Sequence, residues 1–208
     1  MKKNLKGLYV ITDKRLINRD RFIETVEKAI KGGARIVQLR EKGTPENEII
    51  SLGREILKVT KSYRIPLIIN DSPELAQEIG ADGVHLGGED ASITNARAIL
   101  GDMAIIGVSC YNQIGRGLKA MENGADYVAF GTPYYTPTKP EREPTTIGIL
   151  REAVNLIKSI PIFAIGGITK DNAMPILETG VEGIAVITSV FGSPDPETAA
   201  RELAALSS

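Results

Sequence analysis

GADGVHLG at residues 80–87 and GADYVAFG at residues 124–131 are two copies of one short phrase; GGARIVQLR (32–40) and GVEGIAVIT (180–188) are looser versions of it. Each copy opens on a glycine, passes through a small or acidic turn and enters an apolar run. A glycine placed after a helix takes the left-handed position that ends the helix without a Cβ clash. An apolar run this short, bounded on both sides, has the pattern of a buried strand. The intervals between copies leave room for two strand–helix units each, and the missing strands are present. PLIIN (66–70), AIIGVS (104–109) and PIFAIGG (161–167) lie between the copies, and GLYVITD (7–13) precedes them.

Amphipathic segments separate these eight runs: RFIETVEKAIK, ENEIISLGREILKVTK, PELAQEI, ITNARAIL, IGRGLKAMEN, IGILREAVNLIKS and NAMPILET, with PETAARELAAL at the end. Strict alternation of strand and helix implies parallel strands joined by right-handed crossovers. Eight such units in 208 residues suit an α/β fold, a closed (β/α)8 TIM barrel near its lower size limit, forming a single domain over residues 1–208. A doubly wound open sheet is the alternative, but the first strand is not followed by a GxGxxG turn.

The composition narrows the function classes. Hydrophobic residues make up 42% and charged residues 25%, and the net charge is −1 with no basic run. Neither non-specific nucleic-acid binding nor a polybasic membrane anchor gains support. The apolar stretch LYVI is too short for a signal-peptide core, and no segment approaches the length of a membrane span. Cys110, the single cysteine, excludes an intramolecular disulfide and a cysteine metal cage. The expectation is a soluble, cytoplasmic protein.

In a barrel of this kind, chemistry sits at the C-terminal ends of the strands. Read in order, those ends carry Thr12 and Asp13; Gln38, Arg40 and Lys42; Asn70 and Asp71; His85, with Glu89 and Asp90 beyond it; Ser109; Thr136, Thr138 and Lys139; Gly166 and Gly167; and Thr188 and Ser189. Alternation puts Gln38 and Arg40 on one strand face and Val37 and Leu39 on the other. Gly166–Gly167 with Thr188–Ser189 suit a phosphate, although a glycine pair also makes an ordinary turn. Arg40, Lys42 and Lys139 with Asp71 and Asp90 suit a polyphosphate and a divalent cation such as Mg²⁺, against the plainer reading of rim salt bridges such as Arg40 with Asp71. His85 reads as a structural residue within a buried strand, Cys110 as packing and Asp13 as a turn or rim residue. Ser109 has no sequence-evident base to form a nucleophile pair. Tyr134 and Tyr135 would either cover a flat ligand or pack their loop onto the barrel.

The motifs LYVITD, QLREK (38–42), PLIIND (66–71), GADGVHLGGED (80–90), IIGVS (105–109), TPTKP (136–140), AIGGI (164–168) and GIAVIT (183–188) run in one order over nearly the whole chain. In that combination the sequence resembles the thiamine phosphate synthase family. The resemblance implies a transferase that joins a 4-amino-2-methylpyrimidine bearing a diphosphooxymethyl group to a phosphooxyethyl thiazole, or its carboxylated form, giving thiamine phosphate and diphosphate. It implies that Gln38, Leu39, Arg40, Glu41, Lys42 and Asn70 bind the pyrimidine diphosphate, with Ser109 and Lys139 on the diphosphate or the pyrimidine. Asp71 and Asp90 would hold Mg²⁺, while Thr136, Thr138, Gly167, Ile187 and Thr188 would hold the thiazole phosphate. Arg40, Lys42, Lys139 and Ser109 would be the catalytic set. The chain departs from the family pattern at Thr188, where serine is frequent, at Gly88, where glutamine is frequent, and at Tyr111, where histidine is common.

Under this reading diphosphate leaves the methylene and the thiazole nitrogen attacks that carbon; a free ring lone pair needs no general base. The proline-rich stretch TPYYTPTKPEREP (132–144) would act as a lid that excludes water. Two rivals remain: a thiazole tautomerase-like isomerase, which would use a histidine where Tyr111 stands, and a non-catalytic barrel that senses phosphorylated ligands. Exposed apolar helix faces would suit a homodimer.

Overall fold

A computed structural model describes residues 5–88, 90–135 and 145–207. Thr136, Thr138 and Lys139, most of the expected lid, and Glu89 lie outside the described residues. The strands β1 (Gly7–Ile11), β2 (Ile36–Leu39), β3 (Leu67–Asn70), β4 (Gly83–Leu86), β5 (Ile105–Tyr111), β6 (Tyr127–Gly131), β7 (Ile162–Ile165) and β8 (Gly183–Val186) form a closed barrel in chain order. Every neighbouring pair is parallel, and β8 closes on β1. Helices α1 (Phe22–Lys31), α2 (Glu46–Ser62), α3 (Pro73–Ile79), α4 (Ile93–Leu100), α5 (Ile114–Glu122), α6 (Ile147–Leu156) and α7 (Met174–Leu177) follow the first seven strands. After β8 the chain makes a short helix, α8 (Thr188–Phe191), before α9 (Pro196–Leu206). Periodicity alone did not separate α8 from its strand, because four residues span barely one turn.

The repeated phrase has a specific task in this architecture. Its glycines at 33, 80, 124 and 180 all have positive φ, and Gly80 at +75° ends α3 in the left-handed conformation. Its acidic residue ties two strands together. Asp82 accepts the N–H of Leu67, Asp126 that of Ile106 and Glu182 that of Ile162, at 2.7–3.0 Å. Each carboxylate sits just before an even-numbered strand and satisfies a backbone donor on the odd-numbered strand beside it, where the ladder would otherwise leave it unpaired. Arg97 of α4 reinforces one of these joints by pairing with Asp126 at 2.8 Å and donating to the carbonyls of Ala104 and Gly124. Side-chain oxygens of Ser72, Ser92, Thr146 and Asp195 cap the starts of α3, α4, α6 and α9.

Strand alternation divides the core into two layers. Leu8, Val10, Val37, Leu39, Leu67, Ile69 and their equivalents face the helices. Tyr9, Ile11, Ile36, Ile68, Ile105, Tyr127, Phe163 and Ala185 fill the barrel. Tyr9, Tyr127 and Phe163 pack edge to face with ring centroids 5.5–5.9 Å apart. Gly107 makes room for them, since a Cβ there would overlap the Tyr127 ring. These side chains fill the barrel interior beneath the end where the polar strand ends gather. Among the described residues no helix is long and apolar enough to cross a membrane.

Candidate active site

A cavity of about 360 Å³ opens at the C-terminal ends of the strands, within the range of small-molecule sites. One wall carries Gln38, Arg40, Asn70, His85, Ser109 and Tyr111; the other carries Gly166, Gly167, Ile187, Thr188 and Ser189. Leu39 and Glu41 do not line it. Leu39 packs in the helix-facing layer, as alternation requires, and Glu41 is 5% exposed, accepting a hydrogen bond from Thr12 at 2.9 Å. Burial raises the Glu41 pKa, and its Oε2 has no partner among the described residues. Of the QLREK residues expected to bind the pyrimidine diphosphate, Gln38 and Arg40 line this cavity.

Below the cavity a hydrogen-bonded chain crosses the barrel. Gln38 Nε2 donates to the Tyr9 hydroxyl at 2.5 Å, the Tyr9 and Tyr127 hydroxyls are 2.8 Å apart, and Tyr127 reaches His85 Nδ1 at 2.9 Å. His85 Nε2 meets Ser109 Oγ at 2.9 Å. Only the amide end has a fixed direction, since a nitrogen of Gln38 donates; each hydroxyl and the imidazole beyond it can donate or accept. Burial raises the pKa of both tyrosines, so both hydroxyls keep their protons. His85 lines the cavity as well as sitting in its strand, and Ser109 does have a histidine partner; β4 and β5 are adjacent strands whose inward residues meet, which spacing in the sequence does not announce.

Arg40 does not face bulk solvent: its side chain is 14% exposed, with Nη1 3.8 Å from Asp13 Oδ2. Asp13 is a buried anchor, 3% exposed, and not an ordinary rim residue. Arg15 grips it through Nε at 2.9 Å and Nη2 at 2.6 Å, and these bonds hold its carboxyl below the usual range. The Arg40–Asp71 bridge named as the plainer alternative does not form: Asp13 lies beside Arg40, and Lys42 Nζ pairs with Asp71 at 3.2 Å. Asp71 has φ +68°, a left-handed conformation that aspartate tolerates better than most residues. Its carboxyl lies close enough to that of Asp90 for the two to interact, and Asp90 Oδ2 accepts the N–H of Gly87. Burial raises the Asp90 pKa; the Gly87 N–H works against that rise, and the Asp71 carboxyl adds to it.

On the opposite wall Gly167 has φ +64°, and a Cβ there would overlap the Tyr135 carbonyl. Only glycine satisfies both conditions. Tyr134 packs on the core and donates to the Asn172 carbonyl at 3.0 Å, while Tyr135 lines the cavity with 74% of its surface exposed. Cys110 is fully buried, its thiol pushed up to about 12 by desolvation.

Comparison with known proteins fits this geometry. The family model described as thiamine monophosphate synthase matches residues 8–190. The chain belongs to that family. It is 47% identical to the thiamine-phosphate synthase of Methylococcus capsulatus, over 97% of this chain and 89% of that protein. It is 44% identical to that of Marinobacter nauticus, over 94% and 87% respectively. A solved thiamine phosphate pyrophosphorylase from Pyrococcus furiosus superposes with a TM-score of 0.88 at 38% identity, covering 96% of this chain and 94% of that one. Tyr111, which lines the cavity, and Tyr9, which lies beneath it, were not anticipated as site components. Tyr111 was visible only as a departure from the family pattern, and Tyr9 looked like any strand aromatic.

Proposed function

We propose that the chain is a thiamine-phosphate synthase that joins the pyrimidine diphosphate to the thiazole phosphate with release of diphosphate, and that Mg²⁺ assists through Asp71 and Asp90. The observation that carries the reading is one barrel mouth at which two chemically distinct walls meet. One presents an arginine, polar amides and a serine hydroxyl, with Lys42, Asp71 and Asp90 at its edge; the other presents glycines and hydroxyls.

The residues present suit the cation. Two carboxyls close enough to interact gain from a positive ion between them, and two carboxylates completed by water and phosphate oxygens meet the octahedral preference of Mg²⁺. Among the described residues no group of three His, Cys, Asp or Glu side chains forms a metal cage, so the remaining ligands would come from water or substrate. When bound, Mg²⁺ neutralises charge that develops on the departing diphosphate.

Arg40, locked by Asp13, offers its planar fork to diphosphate oxygens without having to be ordered on binding. Lys42 supplies a second positive charge from the rim. Ser109, held by its hydrogen bond with His85, presents its hydroxyl to the pyrimidine diphosphate. Gly167 and Thr188 line the wall that receives the thiazole phosphate. Lys139, Thr136 and Thr138 retain the roles that the family resemblance implies.

The test is direct. Purified protein incubated with both phosphorylated substrates should release diphosphate and form thiamine phosphate with Mg²⁺, and stop when EDTA is added. Condensation that continues in EDTA refutes the metal assignment; ligand binding without any diphosphate release refutes the transferase.

A further inference from the structure

The loop that carries Asp90 is gripped from the neighbouring unit by residues to which the family reading gives no role. β5 loses register with β6 between Ser109 and Tyr111, and Tyr111 leaves the bulge with φ +56°, uncommon for a bulky residue. That turn directs its ring toward Gly87 and Gly88, where the hydroxyl accepts the N–H of Gly88 at 3.1 Å. Arg116 of α5 caps the ring with its guanidinium carbon 5.4 Å from the centroid. The same guanidinium donates to the carbonyls of Gly87 at 2.9 Å and Ser109 at 2.7 Å. The loop is therefore held on consecutive residues, by carbonyl at Gly87 and by amide at Gly88. Asp90 turns back onto the Gly87 N–H, so the clamped segment and the carboxylate form one unit. The glycines complete the fit: a Cβ on Gly88 would stand 3.3 Å from the Tyr111 hydroxyl, and one on Gly87 would stand 2.7 Å from Asp90 Oδ2.

We propose that Tyr111, supported by Arg116, is a positioning residue that presets the Asp90 loop against Asp71 and thereby strengthens divalent-cation binding. Backbone strain at a bulge persists where the surroundings over-determine it, and here two elements and a loop converge on one side chain. Ligand groups held in place before the ion arrives bind it more tightly, which is why partners behind metal ligands matter for affinity. Arg116 also joins the Asp90 loop to Ser109, so the cation side and the substrate side of the wall share one support.

The inference rests on the magnesium reading, and the experiment separates the two. Mn²⁺ binding is followed by electron paramagnetic resonance in the presence of inorganic diphosphate, with no turnover, for the unsubstituted protein, Tyr111→Phe, Gly88→Ala and the double variant. Tyr111→Phe removes only the hydroxyl and should weaken Mn²⁺ binding about three- to ten-fold, the range of one hydrogen bond. Gly88→Ala, which crowds that hydroxyl, should weaken it comparably in the parent and add little in the Tyr111→Phe background. In steady state Tyr111→Phe should raise the Mg²⁺ concentration for half-maximal rate. Equal Mn²⁺ affinities for the parent and Tyr111→Phe overturn the positioning role alone. Absence of Mn²⁺ binding by the parent overturns the metal reading and this inference with it. If Tyr111→Phe does not fold, Gly88→Ala makes the same measurement from the loop side, and unchanged affinity there overturns the proposal.

Discussion

Tyr127→Phe isolates the middle of the buried chain that links Gln38 to Ser109. The Tyr127 hydroxyl makes two hydrogen bonds, with Tyr9 at 2.8 Å and His85 Nδ1 at 2.9 Å, and the residue is fully buried. The substitution leaves the ring in its edge contacts with Tyr9 and Phe163, so packing is kept. It leaves the Tyr9 hydroxyl and His85 Nδ1 each without the hydrogen-bond partner they have in Tyr127. Each buried group left unpaired costs about 1–3 kcal/mol, and the easier burial of phenylalanine offsets part of this, for a net loss of about 2–4 kcal/mol. At about 2–4 °C per kcal/mol for a chain of this size, the melting temperature should fall by roughly 5–15 °C. The assay is thermal and urea unfolding followed by circular dichroism. Tyr63→Phe serves as control, because Tyr63 is 37% exposed and its bond to Glu27 lies at the surface. The substitution also removes the bond that orients the His85 ring, and with it the positioning of Ser109. KM for the pyrimidine substrate should rise more than kcat falls. A stability loss below about 0.5 kcal/mol, together with unchanged kinetics, would refute the role given to the hydrogen-bonded chain.

Four further outcomes are expected. Arg40→Lys keeps the charge but loses the planar fork, and should lower kcat/KM about ten- to a hundred-fold in a diphosphate-release assay with little change in melting temperature. Asp71→Asn should abolish the response of the rate to Mg²⁺, read as a flat titration where the parent saturates. Gly107→Ala forces a methyl into the Tyr127 ring and should destabilise by at least about 1–3 kcal/mol in urea unfolding. Asp13 has a folded pKa depressed by Arg15, so it contributes stability above its unfolded pKa near 3.9, and that contribution is lost as pH falls through the folded value. Asp13→Asn should therefore destabilise at pH 7 and flatten the acid limb of the stability profile below about pH 4.

What the amino-acid sequence determined by itself was local and periodic. A glycine, an acid and an apolar run, repeated with helices between, specified strand count, order and handedness, because each of those follows from neighbours along the chain. The two-residue alternation of β2 likewise put Gln38 and Arg40 in the cavity and Leu39 outside it. Family resemblance supplied Asp71 and Asp90 as a pair, and in the fold the Asp71 carboxyl is near enough to help raise the Asp90 pKa. Pairings between distant residues were decided only by closure of the barrel. Asp13 was free in the sequence to be a turn residue, and it became the buried partner of Arg40 because β1 and β2 lie side by side. His85 acquired Ser109 on one nitrogen and Tyr127 on the other because inward side chains of three adjacent strands meet at the axis. The grip of Tyr111 on Gly88 depends on a bulge and a positive φ, neither of which leaves a mark in the order of residue types. Hydrogen bonds need positions and angles within fractions of an ångström, and one-dimensional spacing carries that information only where a regular element transmits it.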